Sequence, residues 1–207
     1  MQNELTVESA LDFLRNHQPM PNTDKVDCED LLREYDNVIN FFISHPDIRA
    51  VPLFFGSFGG GDGHGVYQYV HEVIKAFPVD VIAPHIIMAL HSESEDIRAY
   101  AGEFSFHLKP YAPLIRPLFE RLTDPNPDIR TCAVYGLSFQ HSKFLKESLI
   151  ELCENEKEQD VKAAYAELFE LMNDPEQPCY YGTVLVQEVS SDQKPSVSAP
   201  IFIKNSE

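Results

Sequence analysis

The residues best suited to chemistry lie in and after a glycine-rich stretch at positions 56–65, in which six of ten residues are glycine. Asp62 and His64 combine a carboxylate with an imidazole, a pairing used in general acid–base catalysis, and glycine allows a ligand to approach the backbone closely. Tyr67 and His71 follow shortly after. These four side chains form a candidate site for an enzyme or a small-ligand-binding protein. A flexible or tightly folded connector would explain the same glycines.

Other catalytic or metal-binding patterns are weaker. His71-Glu72 is the one His-Glu dipeptide, and the remaining histidines lack the i, i+4 spacing that places two metal ligands on one helical face. The glycine-rich stretch has no Gly-Lys-Ser/Thr ending for phosphate, and no serine lies in a Gly-x-Ser-x-Gly turn. We therefore expect no enzyme activity, no cofactor and no metal. The widely spaced cysteines predict free thiols rather than a disulfide framework or a zinc site: Cys28, Cys132, Cys153 and Cys179.

A repeated phrase organises the chain beyond this stretch. Asp96-Ile97-Arg98, Asp128-Ile129-Arg130 and Asp160-Val161-Lys162 are spaced 32 residues apart, and each begins a helical pattern of apolar residues. A period of this length is typical of stacked helical hairpins. It predicts inner helices at about residues 96–108, 128–140 and 160–172, each preceded by an outer helix at about 79–91, 113–123 or 143–154.

The regions outside this array suggest two domains. Residues 5–16 form an apolar helical stripe that we expect to cap the N-terminal end of the array. Residues 182–189 and 199–204 alternate loosely between apolar and polar types, as in a strand pair or an extended tail. We expect a helical repeat domain at 1–174 and a C-terminal tail or β-hairpin extension at 175–207.

The repeated phrase resembles the inner-helix signature of HEAT-like repeats. The Asp-Ile/Val-Arg/Lys sequence is followed, five residues after the aspartate, by Ala101 and Ala133 in the first two copies and by Tyr165 in the third. In HEAT-like proteins the aspartate caps the inner helix, the small residue permits close helix packing, and the basic residue forms a ladder with acids of the next repeat. The resemblance implies an all-α, armadillo-like solenoid. It extends to small bacterial HEAT-like proteins, including some described as immunity proteins against secreted toxins.

The net charge restricts the partners. The chain has 16 Lys plus Arg against 33 Asp plus Glu, which gives −17 at pH 7 and repels nucleic-acid phosphates and anionic lipid surfaces. No apolar run approaches the ~20 residues of a membrane helix, and the N-terminus lacks the pattern of a signal peptide. We expect a cytoplasmic protein that binds neither nucleic acid nor membrane and whose partner is a basic protein.

The 32-residue register also predicts a binding face. Positions one, five, eight and twelve residues after each aspartate should point into the core, so positions seven, ten and eleven should lie on the exposed side. Aromatic residues among acids would anchor a basic protein there. The alternative is that Phe106 and Phe139 pack beneath the C-terminal tail or between repeats. The sequence therefore favours a non-enzymatic protein-binding scaffold, with neutralisation of a basic toxin as its narrower form. The predicted partner-binding residues are Glu103, Phe106, His107, Tyr135, Phe139, Glu167 and Glu170.

Overall fold

A computed structural model of the chain describes residues 5–24, 27–108, 110–140 and 146–173, apart from the side chain of Phe139. Within these ranges the chain is all-α, as predicted, and contains no β-strand; the predicted tail or hairpin lies outside them. Three short 3-10 segments occur at Gly63–Gly65, Tyr67–Tyr69 and Ala112–Leu114. The α-helices of the described ranges are α1 Val7–Asn16, α2 Glu29–Ser44, α3 Ala50–Ser57, α4 Val70–Lys75, α5 Val79–Leu90, α6 Glu95–Phe106, α7 Ile115–Arg121, α8 Pro127–Phe139, α9 Lys146–Asn155 and α10 Gln159–Asn173.

The three helices that carry the repeated phrase pack side by side. Helix α6 contacts α8, α8 contacts α10, and each of them also contacts the helix that precedes it in the chain. Of the core positions predicted from the 32-residue register, Ile97 is partly buried and the others are buried, including Ala101, Ile129, Ala133, Val161 and Leu168. Their opposite faces are therefore free to form a common surface. None of the helices in the described ranges is long and apolar enough to cross a membrane.

The caps of the inner helices differ from the prediction. The hydroxyl of Ser94 accepts from the Ile97 backbone N–H at the start of α6, and the Asn126 side chain accepts from the Asp128 N–H at the start of α8. Asp96 and Asp128 lie two residues after these caps, so the prediction that they cap the helices is wrong. A carboxylate in the first turn is still favourable, because it interacts with the free N–H groups and the positive end of the helix dipole.

Arg98 ties the start of α6 to the chain on both sides. Its Nη1 donates to the carbonyl oxygens of Ser92 and Glu93, each at 2.9 Å. Its Nε donates to the Asp124 carboxylate at 2.9 Å, and both side chains of this ion pair are largely buried, with 11% and 2% of their surfaces exposed. One side chain thus joins the turn before α6 to the turn before α8.

Arg130 makes the same contacts one period later. Its Nη1 donates to the carbonyl oxygens of Asp124 and Pro125, at 2.9 and 3.1 Å, and its Nε donates to the Glu156 carboxylate at 2.7 Å. Every partner of Arg130 lies 32 residues after the corresponding partner of Arg98. The ladder of basic residues and acids implied by the resemblance is therefore present at these two positions.

The glycine-rich stretch is a tightly folded connector that lies against residues 20–23. The Met20 N–H donates to the Ser57 carbonyl at 2.9 Å, and the Thr23 N–H donates to the Gly60 carbonyl at 3.0 Å. A Cβ on Gly59 would lie 2.0 Å from the Met20 carbonyl oxygen. The two backbone segments therefore approach more closely than a residue with a side chain would permit.

Aromatic rings fill the core beside this connector. Tyr67 packs edge-on against Tyr35 and Phe58, with ring centroids 5.6 and 5.4 Å apart. The buried hydroxyl of Tyr35 forms a 2.7 Å hydrogen bond with the Ser57 hydroxyl, which removes the cost of an unpaired polar group in the core. This packing holds the residues that precede α4, whose His71 faces α6.

Candidate functional site

An open, largely apolar groove lies along one face of α6, α8 and α10. Its volume is about 540 Å³, which falls in the range of ligand pockets. It forms because residues three, four and seven apart share one face of a helix, and the 32-residue register brings those faces together on adjacent helices. The residues that line it are Glu103, Phe106, His107, Cys132, Tyr135, Ser138, Glu167, Leu168 and Leu171.

Five of the seven predicted partner-binding residues line this groove. Glu170 is exposed on α10 but is not part of the lining. Phe139 ends α8, and its side chain lies outside what the structure describes. The five residues in the groove are Glu103, Phe106, His107, Tyr135 and Glu167.

Four lining residues were not among the seven predicted partner-binding residues. Ser138 and Leu171 occupy exposed-side positions of the register, ten and eleven residues after the repeat aspartates of α8 and α10. Cys132 lies one helical turn before Tyr135, and the i, i+3 spacing is a signal from which it could have been inferred. Leu168 was assigned to the core, and it is 1% exposed. It nevertheless lines the bottom of the groove, because the groove reaches the boundary between the exposed and buried faces of α10.

The middle of the groove is aromatic. The rings of Phe106 and Tyr135 meet edge to face across α6 and α8, with centroids 6.3 Å apart at 84°. Phe106 also packs edge-on against His107 at 5.3 Å, and His107 stacks on His71 of α4 at 5.0 Å. Four rings therefore form a continuous row from α4 to α8.

Two carboxylates line the groove, Glu103 on α6 and Glu167 on α10, the helices that pack on either side of α8 with its Tyr135. Although Glu103 keeps solvent exposure, partial burial of its carboxyl group raises its pKa, and the nearby His71 partly offsets this. Burial also raises the pKa of the Tyr135 phenol, and the negative charge of Glu167 adds to the effect. Among the residues that the structure describes, no cationic side chain pairs with Glu103 or Glu167.

The groove does not hold an activated nucleophile or a charged imidazole of its own. Burial, followed by the charges of Glu103 and Asp128, raises the pKa of the Cys132 thiol to about 12. This keeps it protonated and weakly nucleophilic at neutral pH. Burial and the neighbouring His71 and Lys75 lower the pKa of His107, so His107 is neutral at pH 7. The arrangement is suited to contact rather than to acid–base chemistry.

The Asp62 and His64 side chains of the glycine-rich stretch contact backbone groups of the connector and of the segment packed against it. The Asp62 carboxylate accepts a 2.7 Å hydrogen bond from the His64 backbone N–H. The His64 ring nitrogen Nε2 lies 3.4 Å from the Thr23 carbonyl oxygen. His64 itself adopts a left-handed conformation, with φ of 49°. No hydrogen bond links the Asp62 and His64 side chains to each other in this described part of the chain.

The other two members of that candidate site face different surroundings. Tyr67 is fully buried, its hydroxyl is enclosed without a well-formed hydrogen bond, and burial raises its pKa to about 12. His71 lies beside the groove, where its ring contacts the Gln68 carbonyl and its Nε2 lies 2.6 Å from the Glu72 carboxylate. The four residues Asp62, His64, Tyr67 and His71 are thus divided between the connector, the core and the groove edge.

In the ranges that the structure describes, no three His, Cys, Asp or Glu side chains are grouped so as to hold a metal ion. Cys28, Cys132 and Cys153 are free thiols, as predicted, and Cys179 lies outside the described residues. Comparison with protein-family models, curated proteins and solved structures found no significant match to this chain.

Proposed function

We propose that the chain is a non-enzymatic scaffold that binds a basic protein through the groove on α6, α8 and α10. The observation that carries this proposal is the row formed by Glu103, Tyr135 and Glu167, one residue from each helix. Two carboxylates without a cationic partner in the described structure line the groove, on either side of the helix that carries the aromatic ring. Aromatic anchors in an apolar centre, bordered by polar residues, are typical of protein-binding hot spots.

The fold that we propose for this scaffold is a HEAT-like α-solenoid. Two observations support it. The inner helices α6, α8 and α10 pack in chain order. The contacts of Arg98 recur at Arg130 after one 32-residue period. Recurrent contacts between successive units are the physical basis of solenoid stability, because each unit contacts only its neighbours.

The narrower role that we propose is inhibition of a basic partner, such as a secreted toxin, in the cytoplasm. Its support is the net charge of −17, which would accelerate association with a positively charged protein. The resemblance of the repeated phrase to bacterial HEAT-like proteins, some of them immunity proteins, points in the same direction.

The glycine-rich stretch gives no comparable support for an enzyme or small-ligand site. The Asp62 carboxylate is occupied by the His64 N–H, the hydroxyl of Tyr67 is enclosed in the core, and His71 contacts Glu72. The close packing of Gly59 against Met20 also explains the glycine content without a ligand.

The proposal can be tested by comparing two variants with the same change in charge. One carries Glu103→Lys and Glu167→Lys in the groove. The other carries Glu151→Lys and Glu154→Lys on the exposed face of α9. The wild type and the α9 variant should capture the same partner from an extract of the native host, and the groove variant should not. Equal capture by both variants would place the binding surface elsewhere.

Binding kinetics with the captured partner should distinguish the effect of the acidic residues from the effect of the aromatic contact. Rim charges mainly set the association rate, whereas a buried aromatic anchor mainly sets the dissociation rate. In surface plasmon resonance, reversal of Glu103 and Glu167 should slow association. Tyr135→Ala should accelerate dissociation, with a loss of ~1–3 kcal/mol in binding free energy. Unchanged rates in both variants would contradict the proposed site.

A further inference from the structure

We infer that the groove receives one arginine or lysine side chain of the partner, with its cationic head at Glu103 and its aliphatic stem against Phe106 and Tyr135. This inference rests on the proposed function and specifies the chemistry of the anchor. It depends on three observations: Glu103 forms no ion pair among the described residues, an aromatic wall adjoins it, and Lys75 of α4 is paired with Glu72.

Glu103 forms no ion pair with a cationic side chain in the described ranges. Its carboxyl group lies at an apolar cavity beside Phe106 and Cys132, where water solvates it less fully than at an open surface. The acids that follow the inner-helix arginines differ, because Asp124 and Glu156 each pair with a guanidinium. A cation from the partner would form with Glu103 the kind of charge-assisted hydrogen bond that arginine forms with Asp124 and Glu156.

The wall beside Glu103 fits the rest of a basic side chain. Phe106 and Tyr135 meet edge to face, and Leu171 extends the apolar surface toward α10. Lysine and arginine bury their methylene groups along such surfaces while their charged heads reach a polar site. A guanidinium is more weakly hydrated than an ammonium and stacks on aromatic rings, so arginine should bind more tightly than lysine.

Occupants of other chemistry fit less well. An apolar side chain would cover Glu103 and remove water from its carboxylate without replacing the lost interactions. An anionic group would be repelled by both Glu103 and Glu167. Lys75 of α4, whose charge acts on His107 at the groove, pairs with Glu72 at 3.4 Å. In the described structure it therefore does not occupy the place of the partner's side chain.

Small probes test this inference without the natural partner. The full chain is titrated with acetyl-Ala-Arg-Ala-amide and with the matched lysine, norleucine and glutamate peptides. The aromatic NMR signals of Phe106 and Tyr135, assigned by substitution, report binding. The arginine peptide should produce saturable shifts with a Kd in the millimolar range, and the norleucine and glutamate peptides should bind at least about threefold more weakly.

Matched variants distinguish the contribution of the Glu103 charge to peptide binding from that of the Tyr135 ring. Glu103→Gln keeps the shape and removes the charge, and should raise the Kd of the arginine peptide about three- to tenfold. Glu151→Gln on α9 should leave it unchanged. Tyr135→Phe keeps the ring and should preserve binding, whereas Tyr135→Leu should weaken it. Circular dichroism of each variant checks that the helices remain folded.

Three results would overturn the inference: no saturation of the arginine peptide up to about 50 mM, equal binding of the norleucine peptide, or an unchanged Kd in Glu103→Gln. Each of these can occur while the groove variant still fails to capture the natural partner, in which case the scaffold function stands and only the basic anchor is wrong. Conversely, peptide binding with unaffected partner capture would contradict the proposed function and leave the basic-side-chain site in place.

Discussion

At the scale of single residues, the pairing of Arg130 with Glu156 connects structure to stability most directly. The two side chains are 14% and 8% exposed, so water screens their interaction less than at the surface. The hydrogen bond from Arg130 lowers the pKa of Glu156 to about 2, and the backbone N–H groups of Lys157 and Glu158 contribute to the same effect. Glu156 therefore stabilises the fold in its ionised form.

This pKa predicts a defined loss of stability in acid. The contribution of Glu156 is fully present above its ordinary pKa of 4.5 and is lost as the pH falls toward about 2. Glu156→Gln should lower the unfolding free energy by roughly 1–3 kcal/mol at pH 7, and the difference from wild type should shrink between these pH values. Urea unfolding at a series of pH values measures it. Glu151→Gln serves as the control, and a difference that does not change with pH would contradict the ionic role.

A second prediction for a single residue concerns the contribution of Gly59 to stability, which depends on its contact with the Met20 backbone. Its Cβ would lie 2.0 Å from the Met20 carbonyl oxygen, whose own chain segment is held by a hydrogen bond to Ser57. Gly59→Ala should therefore lower the unfolding free energy by roughly 2–4 kcal/mol.

Gly56→Ala is the matched control for this prediction. The nearest atom to its added methyl group is Oε1 of the flexible Gln18 side chain, at 2.7 Å, so the cost should stay below about 1 kcal/mol. Thermal unfolding of both variants makes the comparison. Similar losses in the two would mean that the connector does not need its close backbone approach at Gly59.

At the scale of helices, the sequence predicted what depends on periodicity. The 32-residue register correctly predicted that Ala101, Ala133 and Leu168 are buried. It also predicted that Glu103, Tyr135 and Glu167 share one face, and all three line the groove. These features follow from which residues share a helical face, and a single sequence contains that information.

Features that depend on local competition or on distant partners were not predictable in this way. Ser94 caps α6 although Asp96 is an equally good cap by residue type, because only the backbone conformation decides which one is used. The packing of Gly59 against Met20 joins segments that are 39 residues apart, and no periodic pattern links them. The position of His71 beside His107 has the same cause: it results from how α4 packs, which depends on contacts far away in the chain.

The outer helices give a prediction at this scale. Leu122, next to the end of α7, is 3% exposed, whereas Met88 on α5 is 70% exposed. Leu122→Ala should lower the unfolding free energy by roughly 2–5 kcal/mol through lost contacts and a residual cavity. Met88→Ala should change it by less than about 0.5 kcal/mol. Chemical denaturation of both variants is the measurement, and a small effect at Leu122 would show that α7 packs less tightly than described.

For the whole molecule, the net charge of −17 predicts that the chain does not bind nucleic acid. Binding to DNA or RNA is dominated by contacts between basic side chains and phosphates, so this chain should bind neither duplex nor single strands. A gel-shift titration at about 50 mM salt, where such contacts are strongest, is the appropriate measurement. A shift at low-micromolar protein would show that the charge is distributed less evenly than the sequence suggests.

The contacts of Arg98 and Arg130 also bear on how such a chain can change its length. Each arginine uses carbonyl groups five and six residues earlier and a carboxylate 26 residues later. Removing the 32 residues 95–126 would place Ser92 and Glu93 six and five residues before Arg130. Arg130 would then bond to their carbonyl groups and to Glu156 with the same geometry. Removal of a segment whose length is not a multiple of 32 would shift these partners and break the joint. Duplication or loss of whole 32-residue modules is thus the step by which the groove on the inner helices can be lengthened or shortened while every junction is inherited intact.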